Sequence, residues 1–137
     1  MKLNALAHVC ISTKDLDKTR EFYCNLLGMD KVFEFKKAGA TAGFYLRIAG
    51  DNFLEFFKDP TDYKNDSPLR HLCFETSDLK GLRKDLAGKG LACTEPVLGG
   101  DGSWQFWIKD PNGIAIEFHE YTAESSQKTG KTVEITW

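Results

Sequence analysis

Two histidines and two glutamates recur along the chain at a nearly constant spacing. His8 and His71 lie 63 positions apart, and Glu55 and Glu117 lie 62 apart. Both glutamates interrupt apolar stretches, NFLEFF and IAIEF, where a buried carboxylate is costly unless it is paired or binds a metal. Two neutral imidazoles and two carboxylates suit nickel, zinc, cobalt, iron or manganese. The pattern therefore predicts a divalent metal site that leaves coordination positions for water or substrate.

The metal interpretation depends on the four residues together. A single strand histidine is ordinarily a hydrogen-bonded core residue, and a single glutamate is ordinarily solvated. Cys10 and Cys73 follow each histidine by two positions and share its face, so their sulfur could ligate. We interpret them instead as small buried residues that line the cavity. His119 shares the face of Glu117 but has no repeat partner, which places it beside the ligands or at the rim.

The elements that position these residues form an internal repeat. Residues 8–22, HVCISTKDLDKTREF, and 71–85, HLCFETSDLKGLRKD, align without gaps and share six of fifteen residues. In each copy a short strand precedes an N-capping aspartate, Asp15 or Asp78, and an amphipathic helix. Gly28 is expected to end the first helix, and Gly88 or Gly90 the second. The further strands are predicted at 31–37, 42–49 and 52–58, and at 91–97, 103–109 and 113–120.

Turns at Gly50-Asp51-Asn52 and Asp110-Pro111-Asn112-Gly113 join the last two strands of each half. The predicted fold is α+β: two tandem βαβββ modules, about 4–58 and 69–121, form a cupped mixed sheet with helices on its outer face. They make one domain, 1–121. Residues 122–137 are predicted to be a polar C-terminal tail in which Val133, Ile135 and Trp137 alternate and could add an edge strand.

Composition excludes several classes of partner. The 137 residues carry a net charge of −2 without a basic patch, so no nucleic-acid partner is expected. No apolar run is long enough to span a membrane. Four cysteines without a CxxC pair, and an N-terminus unlike an export signal, favour a cytoplasmic protein with reduced thiols.

At these motifs the chain resembles the glyoxalase, bleomycin-resistance and extradiol-dioxygenase superfamily, also called the vicinal oxygen chelate superfamily. The resemblance runs from about residue 5 to residue 121, and FYCNLLGM and DPNG-x-x-x-E are its most specific phrases. Bacterial glyoxalase I, a lactoylglutathione lyase, carries His, Glu, His and Glu at the four ligand positions and is the nearest subfamily. Epimerases of the methylmalonyl-CoA type have Gln at the second position, and bleomycin-resistance proteins have lost the metal set.

The resemblance implies a homodimeric lyase or isomerase that acts on a small molecule, an α-hydroxy carbonyl or hemithioacetal, through a metal-bound enediolate. Glu117 would be the general base, Glu55 its counterpart, and His8 and His71 fixed ligands. Apolar walls would exclude water from the substrate. The expected wall residues are Phe53, Phe57, Trp104 and Trp107. A metal-dependent epimerase, a resistance enzyme and a non-catalytic small-molecule-binding protein remain as alternatives.

Overall fold

The computed structural model describes residues 7–61, 69 and 71–133. The chain divides into two compact units, Met1–Ser67 and Pro68–Trp137, which correspond to the two predicted modules. Each unit contains one four-stranded mixed sheet, so the α+β prediction is confirmed. Within the described residues, no helix has the length and apolar character needed to cross a membrane.

The first unit has the predicted βαβββ order. Its sheet runs β1-β4-β3-β2, with β1 parallel to β4 and the other pairs antiparallel. Helix α1 continues directly into a π-helical segment, which the sequence analysis did not predict. The elements are β1 (His8–Thr13), α1 (Leu16–Arg20), the π-helical segment (Glu21–Leu26), β2 (Asp30–Lys37), β3 (Ala40–Ala49) and β4 (Asn52–Lys58).

The second unit repeats this topology. Its sheet runs β5-β8-β7-β6, again with the first and last strands parallel. The elements are β5 (His71–Glu75), α2 (Leu79–Gly88), β6 (Val97–Leu98), β7 (Ser103–Lys109), β8 (Ala115–Tyr121) and α3 (Ser126–Thr129).

The helices begin and end as the sequence predicts. The Asp15 carboxylate accepts a hydrogen bond from the Lys18 amide at 3.0 Å, and Asp78 caps α2 through the Gly81 amide at 2.9 Å. Gly28 and Gly90 follow the helical segments with φ of 75° and 88°, a left-handed conformation that glycine adopts without strain. The repeat therefore extends from residue identity to local geometry.

Each sheet has one face against its helix and one face turned away from it. Alternation along the strands sends Leu54 and Phe56 of β4, and Ile116 and Phe118 of β8, to the helix side, where all four are buried. The Tyr23 ring of the π-helical segment lies 4.7 Å from the Phe56 ring. The other face carries His8 and Glu55 in the first unit and His71 and Glu117 in the second; we call it the open face.

The strand predicted at 91–97 is wrong over most of its length, because only Val97–Leu98 is a strand. The Thr94 amide donates to the Trp107 carbonyl of β7 at 3.0 Å, but the Thr94 carbonyl accepts from the Arg83 guanidinium at 2.7 Å. The Trp107 amide instead donates to the Thr94 hydroxyl at 2.9 Å. Pro96 then lacks an amide hydrogen for the ladder. Regular strand pairing with β7 therefore begins only at Val97.

The beginning of the C-terminal segment packs against the second unit. Ser125 is fully buried, and its hydroxyl donates to the Gly102 carbonyl at 3.0 Å and accepts from the Thr122 amide at 2.8 Å. This hydrogen-bonded corner leads into the one-turn helix α3, which the sequence analysis did not predict. Val133 lies in no strand, and Ile135 and Trp137 lie outside the described residues.

Candidate metal centre

The first half-site is the pair His8 and Glu55 on the open face of the first unit. Strands β1 and β4 are parallel neighbours, with Cys10 opposite Glu55 and His8 opposite Phe53. His8 Nε2 lies 3.7 Å from Glu55 Oε2. The Glu55 side chain is 17% exposed, so this carboxylate is half-buried beside an accessible imidazole.

The second half-site, His71 and Glu117, repeats this arrangement in the second unit. Cys73 lies opposite Glu117 in the parallel β5–β8 pair, and His71 Nε2 is 3.4 Å from Glu117 Oε2. The Glu117 side chain is only 9% exposed. The two predicted histidine–glutamate pairs are thus each brought together within one unit, and the second carboxylate is the more deeply buried.

An aromatic ring supports the imidazole in both half-sites. Tyr45 lies edge-on to His8 with ring centroids 5.5 Å apart, and Trp107 lies edge-on to His71 at 5.0 Å. In register, Tyr45 lies opposite Glu55 and Trp107 opposite Glu117. The sequence analysis missed Tyr45, although the offset of 62 that relates the two glutamates also aligns Tyr45 with Trp107.

The two cysteines beside the half-sites are exposed in their units, which corrects the expectation that both are buried. Partial desolvation and a hydrogen bond to the Glu55 carboxylate raise the pKa of Cys10 to about 11. Desolvation and the negative charge of Glu117 raise the pKa of Cys73 to about 12. Each thiol therefore stays protonated and donates to its glutamate.

His119 has a closer role than the sequence analysis gave it. Its Nε2 lies 3.0 Å from Glu117 Oε1 and 3.2 Å from the side-chain oxygen of Gln105. Both His119 and Glu117 are buried. The offset of 62 aligns His119 with Phe57, so the first unit has a phenyl ring where the second has an imidazole. The two half-sites therefore differ in what holds the carboxylate.

Phe53 and Phe57, two of the predicted wall residues, do lie on the open face of the first unit. Ring contacts link Tyr45 to Phe53 at 5.1 Å and Phe35 to Phe57 at 4.6 Å. Phe33 stacks on Tyr45 at 4.8 Å and is 43% exposed. These five rings form one continuous apolar surface beside Glu55.

Trp104 does not share the face of Trp107. Residues three apart in a strand point to opposite sides, and Trp104 lies opposite Glu120 in register while Trp107 lies opposite Glu117. Glu120 belongs to the helix side, where its carboxylate accepts from the Leu79 amide at 2.7 Å. Within the second unit Trp107 is therefore the wall residue, and the assignment of Trp104 is corrected.

The donor sets fit a divalent cation. Nitrogen and oxygen ligands at about 2.0–2.2 Å from one ion lie about 3–4 Å from each other. The nitrogen–oxygen separations of 3.7 Å in the first half-site and 3.4 Å in the second fall within that interval. Each half-site can therefore supply two ligands to one ion without rearrangement of its strands.

Comparison with known proteins agrees with this geometry. The model of the Glyoxalase/Bleomycin resistance protein/Dioxygenase superfamily matches residues 5–118. Lactoylglutathione lyase GLX1 of Arabidopsis thaliana is 31% identical over 121 residues, which cover 80% of this chain and 42% of that protein. The uncharacterized protein YwkD of Bacillus subtilis (strain 168) is 25% identical over 130 residues, 88% of this chain and 99% of that one. A glyoxalase family protein from Enterococcus faecalis has the same fold, with a TM-score of 0.75, 24% identity and coverage of 88% of this chain and 100% of its own.

Proposed function

Because the chain belongs to the Glyoxalase/Bleomycin resistance protein/Dioxygenase superfamily, we propose that it is a metal-dependent lyase or isomerase similar to glyoxalase I. Its substrate would be an α-hydroxy carbonyl compound or a hemithioacetal. The observation that carries the proposal is the repeated histidine–glutamate pair, at 3.7 Å in one unit and 3.4 Å in the other. A protein that only sequesters a ligand has no need of this set.

We assign the metal ligands to His8, Glu55, His71 and Glu117. A divalent cation there would polarise two adjacent oxygens of the substrate and so acidify its neighbouring C–H group. Nickel, zinc, cobalt, iron and manganese all suit two imidazoles and two carboxylates. The neutral balance of charges, two carboxylates against a dication, makes this set suitable for a resident ion.

Glu117 is the proposed general base. It is the more buried of the two carboxylates, and His119 holds its Oε1 at 3.0 Å while Oε2 faces His71. A carboxylate oriented in this way can take the C–H proton and return it to the adjacent carbon. Glu55, without a histidine in the place of His119, is the proposed counterpart on the other side of the substrate.

The aromatic rings would hold the substrate and exclude water. Phe53 and Phe57 flank Glu55, and Trp107 lies opposite Glu117 in register. Apolar walls of this kind protect a reactive intermediate from solvent. The four free cysteines are consistent with the cytoplasmic location that we propose.

The apo chain is expected to take up about one divalent cation per four-ligand set, and to lose it on acidification. Imidazole and carboxylate must be deprotonated to ligate, so affinity falls as the pH is lowered from about 7 to about 5. Equilibrium dialysis against nickel, zinc, cobalt and manganese, followed by elemental analysis, measures both effects. Absence of uptake from all four salts at neutral pH would contradict the ligand assignment.

The reaction is tested by a substrate panel. Methylglyoxal is combined with glutathione and with other thiols in the presence of each metal, and isomerisation of the hemithioacetal is followed. Turnover that needs both metal and thiol supports the glyoxalase assignment. Tight binding of aromatic compounds without turnover of any α-hydroxy carbonyl would favour a binding protein, for which the ring surface around Phe33 and Tyr45 is suited.

We further propose a homodimer in which each metal set draws one half-site from each subunit. A chain with His8→Ala and Glu55→Ala is unfolded and refolded together with a chain carrying His71→Ala and Glu117→Ala. Mixed dimers are expected to regain one complete four-ligand set and with it turnover, whereas neither double variant alone has a complete set. Metal content and turnover of the mixture measure the recovery. A mixture without recovery, or a monomer in sedimentation, would contradict the shared site.

A further inference from the structure

The second unit brings three unlike metal ligands together by itself. Donor atoms of Cys73, Glu117 and His119 all lie within 4.8 Å of one another. The proposed lyase set uses only one of these three residues. We propose that Cys73, Glu117 and His119 form an alternative zinc site within the second unit, which shares Glu117 with the lyase set and is occupied in place of that set.

The sheet positions the three donors on one face. Cys73 and Glu117 are direct neighbours in the parallel β5–β8 pair, and His119 follows Glu117 by two residues on the same strand. The Glu117 carboxylate contacts His119 Nε2 through Oε1 at 3.0 Å and His71 Nε2 through Oε2 at 3.4 Å. His71 is therefore at hand as a fourth donor.

Small adjustments would complete the site. Sulfur, nitrogen and oxygen ligands around a tetrahedral zinc ion lie about 3.3–3.8 Å apart. No separation in this set exceeds 4.8 Å, so the donors need to move together by at most about 1–1.5 Å. Cys73 is exposed, so its side chain has room to rotate toward Glu117 and His119, both of which are fixed by burial.

The chemistry of the donors selects the ion. A thiolate favours zinc over manganese or magnesium, and cysteine, histidine and carboxylate side chains are all ligands that zinc accepts. Zinc binding would displace the Cys73 proton to solvent, and the resulting thiolate and the Glu117 carboxylate would balance the two positive charges of zinc, while the imidazole adds none. The lyase set contains no sulfur and has no such preference.

The first unit provides a natural control. Cys10 lies opposite Glu55 as Cys73 lies opposite Glu117, but Phe57 occupies the position equivalent to His119. His8 is the imidazole beside Cys10 and Glu55, but the donor atoms of these three described residues do not all lie within 4.8 Å of one another. The proposal therefore predicts that zinc binds Cys73 and not Cys10, although each cysteine lies opposite a glutamate in the same strand arrangement.

Cobalt tests the ligand set in the full-length chain, because a cobalt–thiolate bond gives a charge-transfer absorption in the near ultraviolet. Cobalt added to the metal-free protein is expected to produce this band, and zinc to abolish it by displacement. Cys73→Ser is expected to remove the band, whereas Cys10→Ser retains it. His119→Phe, which gives the second unit the residue of the first, is expected to weaken cobalt binding at least about tenfold.

Thiol labelling tests the same site without a substitution. Cys10 and Cys73 are both exposed in their units and so accessible to iodoacetamide in the metal-free chain, and because their raised pKa values leave little thiolate, the labelling is carried out at alkaline pH. Zinc should slow the labelling of Cys73 at least about tenfold and leave Cys10 unchanged, as mass spectrometry of the digested protein would measure. Equal protection of both cysteines, or a band that survives Cys73→Ser, would overturn the proposal. Metal uptake without a thiolate band also refutes the zinc-site proposal but is compatible with the lyase proposal. A thiolate band without turnover supports the zinc site and contradicts the lyase proposal.

Discussion

Replacing Glu117 by glutamine is expected to lower kcat by about 10²–10⁴-fold while most of the metal affinity is retained. The amide oxygen of glutamine can still coordinate a cation, and it keeps a polar partner for His119, which lies 3.0 Å from Oε1 of the native carboxylate. An amide, however, does not accept a proton near neutral pH. The loss should therefore appear in the chemical step, measured as kcat at matched metal content.

The matched variant is Glu55→Gln, which changes the equivalent residue of the first unit. It is expected to keep the greater part of turnover, because Glu55 is more exposed and is the proposed non-basic partner. Normal turnover in Glu117→Gln together with inactivity in Glu55→Gln would reverse the two roles. Loss of bound metal in either variant would show instead that the glutamate is needed mainly as a ligand.

Phe56→Ala is expected to lower the free energy of unfolding by about 3–5 kcal/mol. Phe56 is 0% exposed and contacts the rings of Tyr23 at 4.7 Å and Phe44 at 5.3 Å. Truncation leaves a cavity between the sheet and its helix, far from the open face. Urea denaturation should give a lower midpoint, and the free energy of unfolding in water follows from the midpoint and the slope m of the fit.

Phe33→Ala is the control for this stability prediction. Phe33 is 43% exposed on the open face and stacks on Tyr45, so its loss should cost only about 1 kcal/mol. Similar losses for the two variants would contradict the division of each sheet into a core face and an open face. Effects on ligand binding are expected only from Phe33→Ala.

The repeat allowed much of this fold and site to be predicted from sequence. The offset of 62–63 residues and the alternation of strand faces place each histidine beside its glutamate, and the structure has both pairs within 4 Å. Capping aspartates and the glycines after the helices have local signatures, so their prediction was confirmed. These features depend on contacts near in sequence or on strict alternation.

The errors arise where distant side chains decide the outcome. The strand at 91–97 was shortened by Arg83, which takes the Thr94 carbonyl, and no periodicity in residues 91–97 reveals this competition. Burial of Cys10 and Cys73 was inferred from residue type, although an open sheet face leaves them exposed. The contact between His119 and Glu117 needed only the alternation rule, but the absence of a repeat partner concealed its importance.

The parallel pairing of the first and last strands has a kinetic consequence. In the first unit β2, β3 and β4 are joined by tight turns, whereas His8 pairs with Phe53 across 45 residues of chain. Closing so long a loop is slow relative to hairpin formation, so we expect β1 to join its sheet late in folding and to leave it early in unfolding. The contact between His8 and Glu55 exists only after this step. A cation bound by His8 and Glu55 would therefore slow the dissociation of β1, the strand that joins the sheet last, and would extend the lifetime of the native state.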